Sequence, residues 1–528
     1  MTRDAPPQTT RFAEICAAMR RPGFYPHEPA DVQVRETAIS VVFVAGELVY
    51  KLKKPVALPF LDQRDPERRR VLCFEEVRLN RRLTHDTYLG VRAIVRNENG
   101  FKLAGPAQRG ALDWAVEMRR LPEQQTMAAL LEAGELAAGD VRSVARRIAA
   151  FHAAAQSPRV PARPGAVKRQ IDENFQPLLD LDLSGGERRQ LAAAQRFFDA
   201  TLVARWDTLR RRAGGGCVRD GHGDLRLEHV IIRDGGVEVF DCVEFDPALR
   251  QIDVSADLGY LVMDLIAHDA AILADELVSS YRCAGGNPGD DALLAFFAAY
   301  RAWVRIKLGY LNHERPEQLV RVAERLRWRA RAPLLLVICG VTASGKSTVA
   351  HELSVCSGLT LLASDHVRKQ RAGLSPDERA GDEHYRSDAS RETYRELGER
   401  ARGELSRTGG AIVDATFRRR EDRDAFAAAI GQSTSAALFV ECRAPRDVLL
   451  KRAHDRESDP ARVSDATADL VDRQLDEWNS LDEIDPARHA TVRADRDPSD
   501  IVDEIEAFLD QRAARAAPAL GRMPQQGA

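Results

Sequence analysis

Two different patterns of apolar and polar residues divide the chain into an N-terminal and a C-terminal part. Residues 38–54, AISVVFVAGELVYKLKK, predict a β-hairpin that turns at Ala45–Gly46. The segment 66–83 predicts a charged helix. The apolar stripe of that helix is expected to consist of Val71, Phe74, Leu79 and Leu83. Further elements follow in this order: strands over 90–120, helices over 127–212, short strands over 214–245 and helices over 255–325. This mixture predicts an α+β domain.

The C-terminal part alternates short apolar segments with helical ones. Pro333 ends a helix immediately before the first of these segments. The predicted strands are LLLVIC, LTLLAS, AIVDAT, AALFVEC and ATVRA. Such alternation predicts an α/β domain with a parallel sheet and helices on both faces. The sequence therefore predicts two domains, over 1–326 and 333–512, followed by a disordered tail over 513–528.

Composition narrows the class of protein. The chain has 528 residues and a formal net charge of −3, so no basic field favours nucleic acid or a membrane surface. No apolar run approaches the roughly 18 residues of a membrane span, and the N-terminus lacks the apolar core of a secretory signal. The eight cysteines form no C-x-x-C pair and indicate reduced thiols. A cytoplasmic protein without a membrane partner is expected.

The first candidate for chemistry is the stretch HGDLRLEHV at 222–230. Asp224 could orient a hydroxyl nucleophile and accept its proton. Asp241 follows apolar strand residues, which suits a carboxylate presented to Mg²⁺. Lys51 and Lys53 point to the same face of a strand, so that either could reach ATP phosphates. Glu76 faces inward on the following helix and could pair with that lysine.

In chain order, this part offers a strand lysine, a helix glutamate, a connecting segment near Glu117–Met118, the H-G-D loop and a strand-end aspartate. The order resembles the protein-kinase-like fold, and specifically the aminoglycoside phosphotransferase family, over about residues 35–320. The resemblance implies ATP and Mg²⁺ between a small N-terminal lobe and a helical C-terminal lobe. The roles that it implies are Lys51 on the α- and β-phosphates, Glu76 as its partner, Asp224 as catalytic base, Asp241 on Mg²⁺ and Asp257 bracing the catalytic loop.

Two departures from that family leave the role of the first part open. It has no G-x-G-x-x-G loop, although this family often lacks one, and His229 stands where the family has a metal-binding Asn. An imidazole is a weaker ligand for Mg²⁺ than an amide oxygen. The tripeptide H-G-D also occurs by chance, and edge-strand lysines can simply discourage strand pairing. The first part is therefore either a variant kinase or a binding module without catalysis.

A second motif, GVTASGKS at 340–347, fits G-x-x-x-x-G-K-[ST] between a strand and a helix, which is the context of a P-loop. Its backbone N–H groups and the helix N-terminus would surround nucleotide phosphates. Within the loop, Lys346 would reach the β- and γ-phosphates and Ser347 would ligate Mg²⁺. The predicted nucleotide-binding residues are Gly340, Val341, Thr342, Ala343, Ser344, Gly345, Lys346, Ser347 and Thr348.

Charged residues after the P-loop favour a kinase over a switch or motor NTPase. Asp365 ends the second strand, and Arg368 lies one helical turn further on. Asp414 ends the third strand and is a candidate to hold Mg²⁺. Arg452 and Arg456 are spaced i, i+4, as in a lid over ATP, although a solvated charge pair would look the same.

This set resembles the small P-loop kinases over about 333–512, including gluconate-kinase-like, polynucleotide and zeta-toxin-type kinases. The resemblance implies that Asp365 is a base or substrate anchor and that Arg368 contacts substrate or phosphate. No N-K-x-D or T-K-x-D motif for guanine is present, so ATP is the expected donor. Both parts together resemble a bacterial family of fused aminoglycoside phosphotransferase-like and ATP-binding proteins.

The sequence thus predicts an ATP- and Mg²⁺-dependent phosphotransferase acting on a hydroxyl of a small molecule. Two alternatives stay open. The first part could be a non-catalytic module that regulates the P-loop kinase, or the protein could phosphorylate nucleic-acid ends. The near-neutral charge and the lack of a basic aromatic groove argue against nucleic acid.

Overall fold

The computed structural model of the protein describes residues 8–58, 61–98, 100–158, 164–233, 236–375, 378, 387–457 and 468–516. These residues form two compact units. The first lies within Met1–Arg163 and Arg211–Gly289, and the second within Pro164–Arg210 and Asp290–Ala528. These units are not bounded at 326–333, where the sequence predicts the junction between two domains. That the two predicted domains fold independently stays a prediction.

A six-stranded antiparallel sheet forms the first part of the first unit, in the order β1-β2-β3-β8-β6-β7. The predicted hairpin is confirmed, because β2 pairs with β3 from Ser40↔Lys53 to Ala45↔Leu48. Gly46 in its turn has φ +65°, which glycine adopts without strain. The strands of this region are β1 Gln33–Glu36, β2 Ser40–Ala45, β3 Leu48–Lys53, β4 Ala57–Leu58, β5 Leu61–Asp62, β6 Tyr88–Asn97, β7 Gly100–Ala104 and β8 Asp113–Arg119.

One helix covers each face of this sheet. Helix α1, Gln8–Met19, packs against one face through Ile15 and Met19. Helix α2, Pro66–Asn80, packs against the other through Cys73 and Val77. The Asp65 carboxylate caps α2 by accepting the N–H of Glu67.

The predicted apolar stripe of α2 is wrong for two of its four members. Val71 is 50% exposed and Phe74 is 42% exposed. Polar residues take core positions instead, because partners elsewhere in the fold satisfy them. The buried face of α2 consists of Arg69, Leu72, Cys73, Glu76, Val77, Leu79 and Asn80.

The remainder of the first unit consists of helices and two short antiparallel strand pairs. Strands β9 and β12 form one pair, and β10 and β11 form the other. These strands are β9 Val218–Asp220, β10 Val230–Arg233, β11 Gly236–Val239 and β12 Gln251–Asp253. The helices are α3 Met127–Glu132, α4 Ala138–Ala154, α7 Pro247–Arg250, α8 Val254–Ala267 and α9 Ala271–Cys283. The two strand pairs flank the loop that carries the H-G-D tripeptide.

A five-stranded parallel sheet forms the centre of the second unit, in the order β14-β15-β13-β16-β17. All five predicted strands are present. They are β13 Leu334–Cys339, β14 Thr360–Ala363, β15 Gly410–Asp414, β16 Ala437–Arg443 and β17 His489–Arg493. Apolar clusters cover both faces of this sheet. The predicted α+β first part and the predicted α/β second part with a parallel sheet are confirmed.

The helices of the second unit include several from before Pro333. Helix α6 begins in this unit and ends in the first. The helices are α5 Pro164–Leu179, α6 Gly185–Gly214, α10 Asp291–Leu311, α11 Glu317–Ala330, α12 Lys346–Ser357, α13 Ser364–Arg371, α14 Ser387–Thr408, α15 Arg420–Ile430, α16 Arg446–Glu457, α17 Ala468–Asp476 and α18 Pro498–Ala516. The first four residues of the predicted tail are therefore helical, and residues 517–528 lie outside the described part.

Helix α11 is part of the core of the P-loop sheet. Trp328 is fully buried in the apolar cluster that contains β13 and α18. The Arg331 guanidinium donates to Glu506 at 3.3 Å and to Asp510 at 2.8 Å, both on α18. The same guanidinium carbon lies 4.9 Å from the centroid of the Trp328 ring and 5.0 Å from that of Phe197. These contacts place the end of α11 inside the second unit.

Where the chain is described, no helix is both long and apolar enough to cross a membrane.

Candidate functional site

The first candidate site begins with the two lysines of β3. Because they are two residues apart on a strand, they project from the same face. Lys51 Nζ lies 3.0 Å from Glu76 Oε1 and 2.6 Å from Asp241 Oδ1. Lys53 Nζ lies 2.6 Å from Glu76 Oε2 and 2.5 Å from Glu244 Oε1. The expected pairing of Lys51 with Glu76 is present, and Glu76 bridges both lysines.

Burial alone would lower the pKa of Lys51, but Asp241 and Glu76 raise it well above its ordinary value. Burial alone would raise the pKa of Glu76, and the two lysines lower it instead. Burial raises the pKa of Glu244 despite Lys53 beside it. Glu244 was not predicted, since nothing in its spacing from Asp241 marks it. The cluster can thus keep Lys51 charged for an anionic ligand.

The buried carboxylate of Asp257 holds the H-G-D loop, as the family resemblance implied. Its Oδ2 accepts the N–H of His222 at 2.7 Å, and its Oδ1 accepts the N–H of Gly223 at 2.9 Å. The His152 ring contacts Oδ2 through Nε2 at 3.1 Å. Burial alone would raise the pKa of Asp257, but His152, His222 and these hydrogen bonds lower it. Asp224 follows Gly223 directly, and its carboxylate is part-exposed.

The same loop brings together the three predicted residues Asp224, His229 and Asp241. His229 Nδ1 lies 2.9 Å from the backbone oxygen of Asp224. His229 Nε2 lies 3.8 Å from Asp241 Oδ2 and 3.6 Å from Glu228 Oε1. Asp241 has φ +63°, a strained backbone conformation for an aspartate. Asp241 and Lys51 therefore share one cluster with the loop that carries Asp224.

The second candidate site is the P-loop between β13 and α12. Ala343 has φ +65° and Gly345 has φ +95°, so the loop reverses sharply before Lys346 begins α12. Gly340 has φ +148°, and a Cβ there would lie 2.6 Å from the backbone oxygen of Cys442. Ser347 and Thr348 are exposed at the N-terminus of α12. This geometry leaves the first N–H groups of the helix available for phosphate.

Asp414 lies at the end of β15, beside Ile338 of the P-loop strand. Asp414 is buried, and its Oδ1 has no hydrogen-bond partner in the described part of the chain. The Ser344 hydroxyl oxygen in the P-loop is likewise buried and without a partner there. Together with the exposed hydroxyl of Ser347, the Asp414 carboxylate offers the oxygen donors that Mg²⁺ prefers. These residues fit the expected Mg²⁺.

Asp365 lies in the first turn of α13, directly after β14. Its carboxylate is 54% exposed, and Oδ2 lies 3.1 Å from Lys369 Nζ. Arg368 Nη1 is 3.8 Å from Asp365 Oδ1, so the predicted pair lies together. Lys369 was not predicted, because a second cation on one short helix carries no distinctive signal. The exposed Asp365 carboxylate therefore has two cationic neighbours, Arg368 and Lys369.

Arg368 and Arg418 both influence the pKa of Tyr394, a buried tyrosine of α14. The hydroxyl of Tyr394 accepts the N–H of Phe417 at 3.2 Å. Burial and Asp422 raise the pKa of Tyr394 to about 12, and Arg368 and Arg418 act against this rise. Sequence analysis missed Arg418, which reaches this place by folding.

Arg452 on α16 donates hydrogen bonds to the backbone of the P-loop. Its Nη1 donates to the backbone oxygens of Ala343 at 3.5 Å and Ser344 at 3.4 Å, and its Nη2 donates to that of Ala494 at 3.0 Å. Arg456 lies on the same helix, but its side chain is outside the described residues.

Gln474 was also missed, since it follows no motif. Its side-chain oxygen accepts the N–H of Thr342 at 2.7 Å, and the side chain is buried. The P-loop is thereby tied to α17 as well as to α16.

The chain matches one protein-family model and is similar to a mycobacterial protein over most of its length. A protein-family model described as an AAA domain matches residues 335–481. The uncharacterized protein Rv2004c of Mycobacterium tuberculosis is 30% identical over 477 residues, which are 86% of this chain and 92% of that protein.

Similar solved structures cover one part of the chain each. The ADP-bound aminoglycoside phosphotransferase APH(2'')-Ib is 13% identical, with a TM-score of 0.31. The match covers 57% of this chain and 92% of the phosphotransferase chain. A gluconokinase from Sinorhizobium meliloti is 22% identical and covers 35% of this chain and 95% of its own, with a TM-score of 0.25. The chain belongs to the same family as the mycobacterial protein, and its P-loop lies within the residues that the AAA-domain model matches.

Proposed function

We propose that the protein is an ATP-dependent phosphotransferase that moves the γ-phosphate to a hydroxyl of a small molecule at the P-loop of the second unit. The observation that carries the proposal is the Asp414 carboxylate. It is buried next to the P-loop strand, with one oxygen lacking a partner in the described part of the chain. Such an oxygen is costly unless a cation or a hydrogen-bond donor binds there, and phosphoryl transfer needs a cation at this point.

In this mechanism the P-loop N–H groups and Lys346 hold the phosphates of ATP. Mg²⁺, bound through Ser347 and Asp414, would supply charge stabilisation when present. Asp365 orients the acceptor hydroxyl and takes its proton as the oxygen attacks the γ-phosphorus. The bond from that phosphorus to the bridging oxygen of ADP breaks, and Lys346 neutralises the charge left on the phosphates. Arg368 and Arg418 contact the acceptor beside Tyr394.

Lys346→Ala should lower phosphate transfer from γ-labelled ATP by on the order of 10²–10³, because the charge on the transferring group loses a cation. Asp365→Asn should spare nucleotide binding and lower transfer to the acceptor. Transfer is measured with a panel of hydroxylated metabolites, and binding by calorimetry.

Two exposed residues of the same unit supply matched controls. Lys451→Ala and Asp388→Asn remove the same charges from exposed side chains to which no role at the site is assigned, so both should leave transfer unchanged. Transfer within about twofold of the wild-type rate in Lys346→Ala would refute the P-loop as the catalytic centre, since a phosphate-binding cation contributes far more. Equal loss of binding and transfer in Asp365→Asn would show that its assigned role is wrong.

The first unit is proposed to be a variant kinase-like half. Its support is the cluster that joins Lys51, Asp241 and the Asp224 loop. The alternative is a nucleotide-binding module that regulates the second unit. Residual transfer in a chain carrying Lys346→Ala would favour catalysis if Asp224→Asn removes it. ATP binding without any residual transfer would favour the module.

A cytoplasmic location is part of the proposal. All eight cysteines have free thiols, which fits a reducing compartment. The net charge of −3 offers no support for a nucleic-acid acceptor.

A further inference from the structure

The metal position of the first unit does not match Mg²⁺. Kinases of this fold hold Mg²⁺ through oxygen atoms, and Asp241 supplies one carboxylate here. The residue that faces Asp241 Oδ2 is His229, which offers nitrogen. Mg²⁺ strongly prefers oxygen ligands, whereas imidazole suits first-row transition metals. The donor set therefore points away from Mg²⁺.

Hydrogen bonding decides which nitrogen of His229 is free. Nδ1 lies 2.9 Å from the backbone oxygen of Asp224, which can only accept, so Nδ1 carries the proton. In the neutral ring, the lone pair is then on Nε2. That nitrogen makes no hydrogen bond within the described residues. The His229 side chain is only 9% exposed. Its nearest polar neighbours are the carboxylates of Glu228 and Asp241.

A lone pair that faces carboxylate oxygens is unfavourable unless a proton or a metal ion lies between them. The 3.8 Å from His229 Nε2 to Asp241 Oδ2 is too long for a hydrogen bond. Two metal–ligand bonds of about 2.1 Å each can span up to about 4.2 Å, so one ion can bridge these atoms. Lys51 contacts the other oxygen of Asp241, Oδ1, at 2.6 Å. The lysine and an ion could therefore use Asp241 at the same time.

We propose that the nucleotide site of the first unit binds a divalent first-row transition metal, such as Mn²⁺ or Co²⁺, between His229 Nε2 and Asp241 Oδ2 in preference to Mg²⁺. Among the residues that the structure describes, no group of three or more His, Cys, Asp or Glu is arranged to hold a metal. The remaining ligands are phosphate oxygens of the nucleotide and water. The ion therefore binds together with the nucleotide, and the protein alone binds it weakly.

The test uses the full chain carrying Lys346→Ala and Asp414→Asn, so that the second unit contributes no metal–nucleotide site. Mn²⁺ is added with ADP, and pulsed electron paramagnetic resonance reports nitrogen bound to Mn²⁺. A ¹⁴N coupling of imidazole type is expected for His229 and should be absent in His229→Asn. Calorimetry should give a Mn²⁺-to-Mg²⁺ preference in ADP affinity that falls on the order of tenfold in His229→Asn, since ligand-shell changes commonly cost 10–100-fold.

His268 provides a matched control. Its Nδ1 also lies near a backbone oxygen, that of Asp264, at 2.8 Å, and this contact joins the ring to α8 and not to Asp241. His268→Asn should leave both the coupling and the metal preference unchanged. Absence of nitrogen coupling in the unsubstituted site would overturn the proposal even if His229→Asn unfolds. ADP binding that is tight without any metal would overturn it as well, because the proposal makes the ion part of the nucleotide site. Neither outcome bears on catalysis at the P-loop.

Discussion

Asp257→Ala is expected to release the H-G-D loop of the first unit. In the protein, the carboxylate accepts the N–H groups of His222 and Gly223 at 2.7 and 2.9 Å and contacts His152 at 3.1 Å. Asp257 is completely buried, so water does not replace the lost acceptor. Two buried N–H donors would be left without partners.

The magnitude follows from these contacts. Each buried donor left unsatisfied costs about 1–3 kcal/mol, which gives about 2–6 kcal/mol for two. Removing one partner of a buried charged group costs about 3–5 kcal/mol, which agrees. A loss of about 4 kcal/mol raises the population of the open loop roughly a thousandfold, because 1.4 kcal/mol is a factor of ten. Asp257→Asn keeps one oxygen acceptor and should lose about half as much.

Hydrogen exchange followed by mass spectrometry is the direct assay. Amides of residues 221–229 should exchange about a thousandfold faster in Asp257→Ala, whereas the P-loop sheet should be unaffected. Asp246→Ala is the matched control. It removes an exposed carboxylate that accepts one N–H, that of Ala248 at 2.8 Å, and should cost about 1 kcal/mol. If Asp257→Ala costs no more than this control and leaves exchange unchanged, the bracing role is refuted.

The pH dependence gives the same prediction an independent check. The folded pKa of Asp257 is lowered below its unfolded value, which is about 3.9 for aspartate. Its contribution to stability is therefore complete above about pH 4 and is lost as the pH falls further. Urea unfolding of the wild type should weaken with acid in this range. Asp257→Asn should lack this component of the decline.

Two further predictions concern the second unit. Gly340→Ala should reduce the nucleotide-induced rise in melting temperature, because its Cβ would lie 2.6 Å from the Cys442 backbone oxygen; Gly403→Ala, with open space around it, should not. An unchanged rise in Gly340→Ala would contradict the tight loop. Arg331→Met should destabilise the unit by about 3–5 kcal/mol in urea unfolding, because Asp510 loses its partner and Glu506 loses one of two. A loss below about 1 kcal/mol would contradict a coupled buried cluster.

The parts of the fold that sequence predicts best are those set by neighbouring residues. The three inner strands of the parallel sheet, β13, β15 and β16, are buried almost throughout, so their apolar runs are continuous. The edge strands β14 and β17 are only partly buried. The P-loop could be predicted because the spacing of its glycines, Lys346 and Ser347 is set by a single local turn between a strand and a helix. The order β14-β15-β13-β16-β17 could not be read in this way, since it depends on which distant segments pair.

The error on α2 has the same physical origin. Apolar periodicity placed Val71 and Phe74 in the core, yet they are exposed. Asn80 is buried instead, because its amide oxygen accepts the N–H of Cys242, 162 residues away. Glu76 is buried because two lysines meet it. Partners that arrive from elsewhere in the chain decide whether a polar residue can enter the core, and no local pattern contains them.

The same reasoning applies to the boundary between the two parts. The sequence marks the end of a helix near Pro333, but it does not state which sheet that helix packs on. Trp328 completes the core on one face of the P-loop sheet, and Arg331 neutralises carboxylates of α18. A chain that began at residue 333 would lack both, leaving Asp510 without its cation and an apolar surface open to water. The helix before Pro333 therefore belongs to the folded unit of the P-loop, which is why the full chain is the form to use in each experiment.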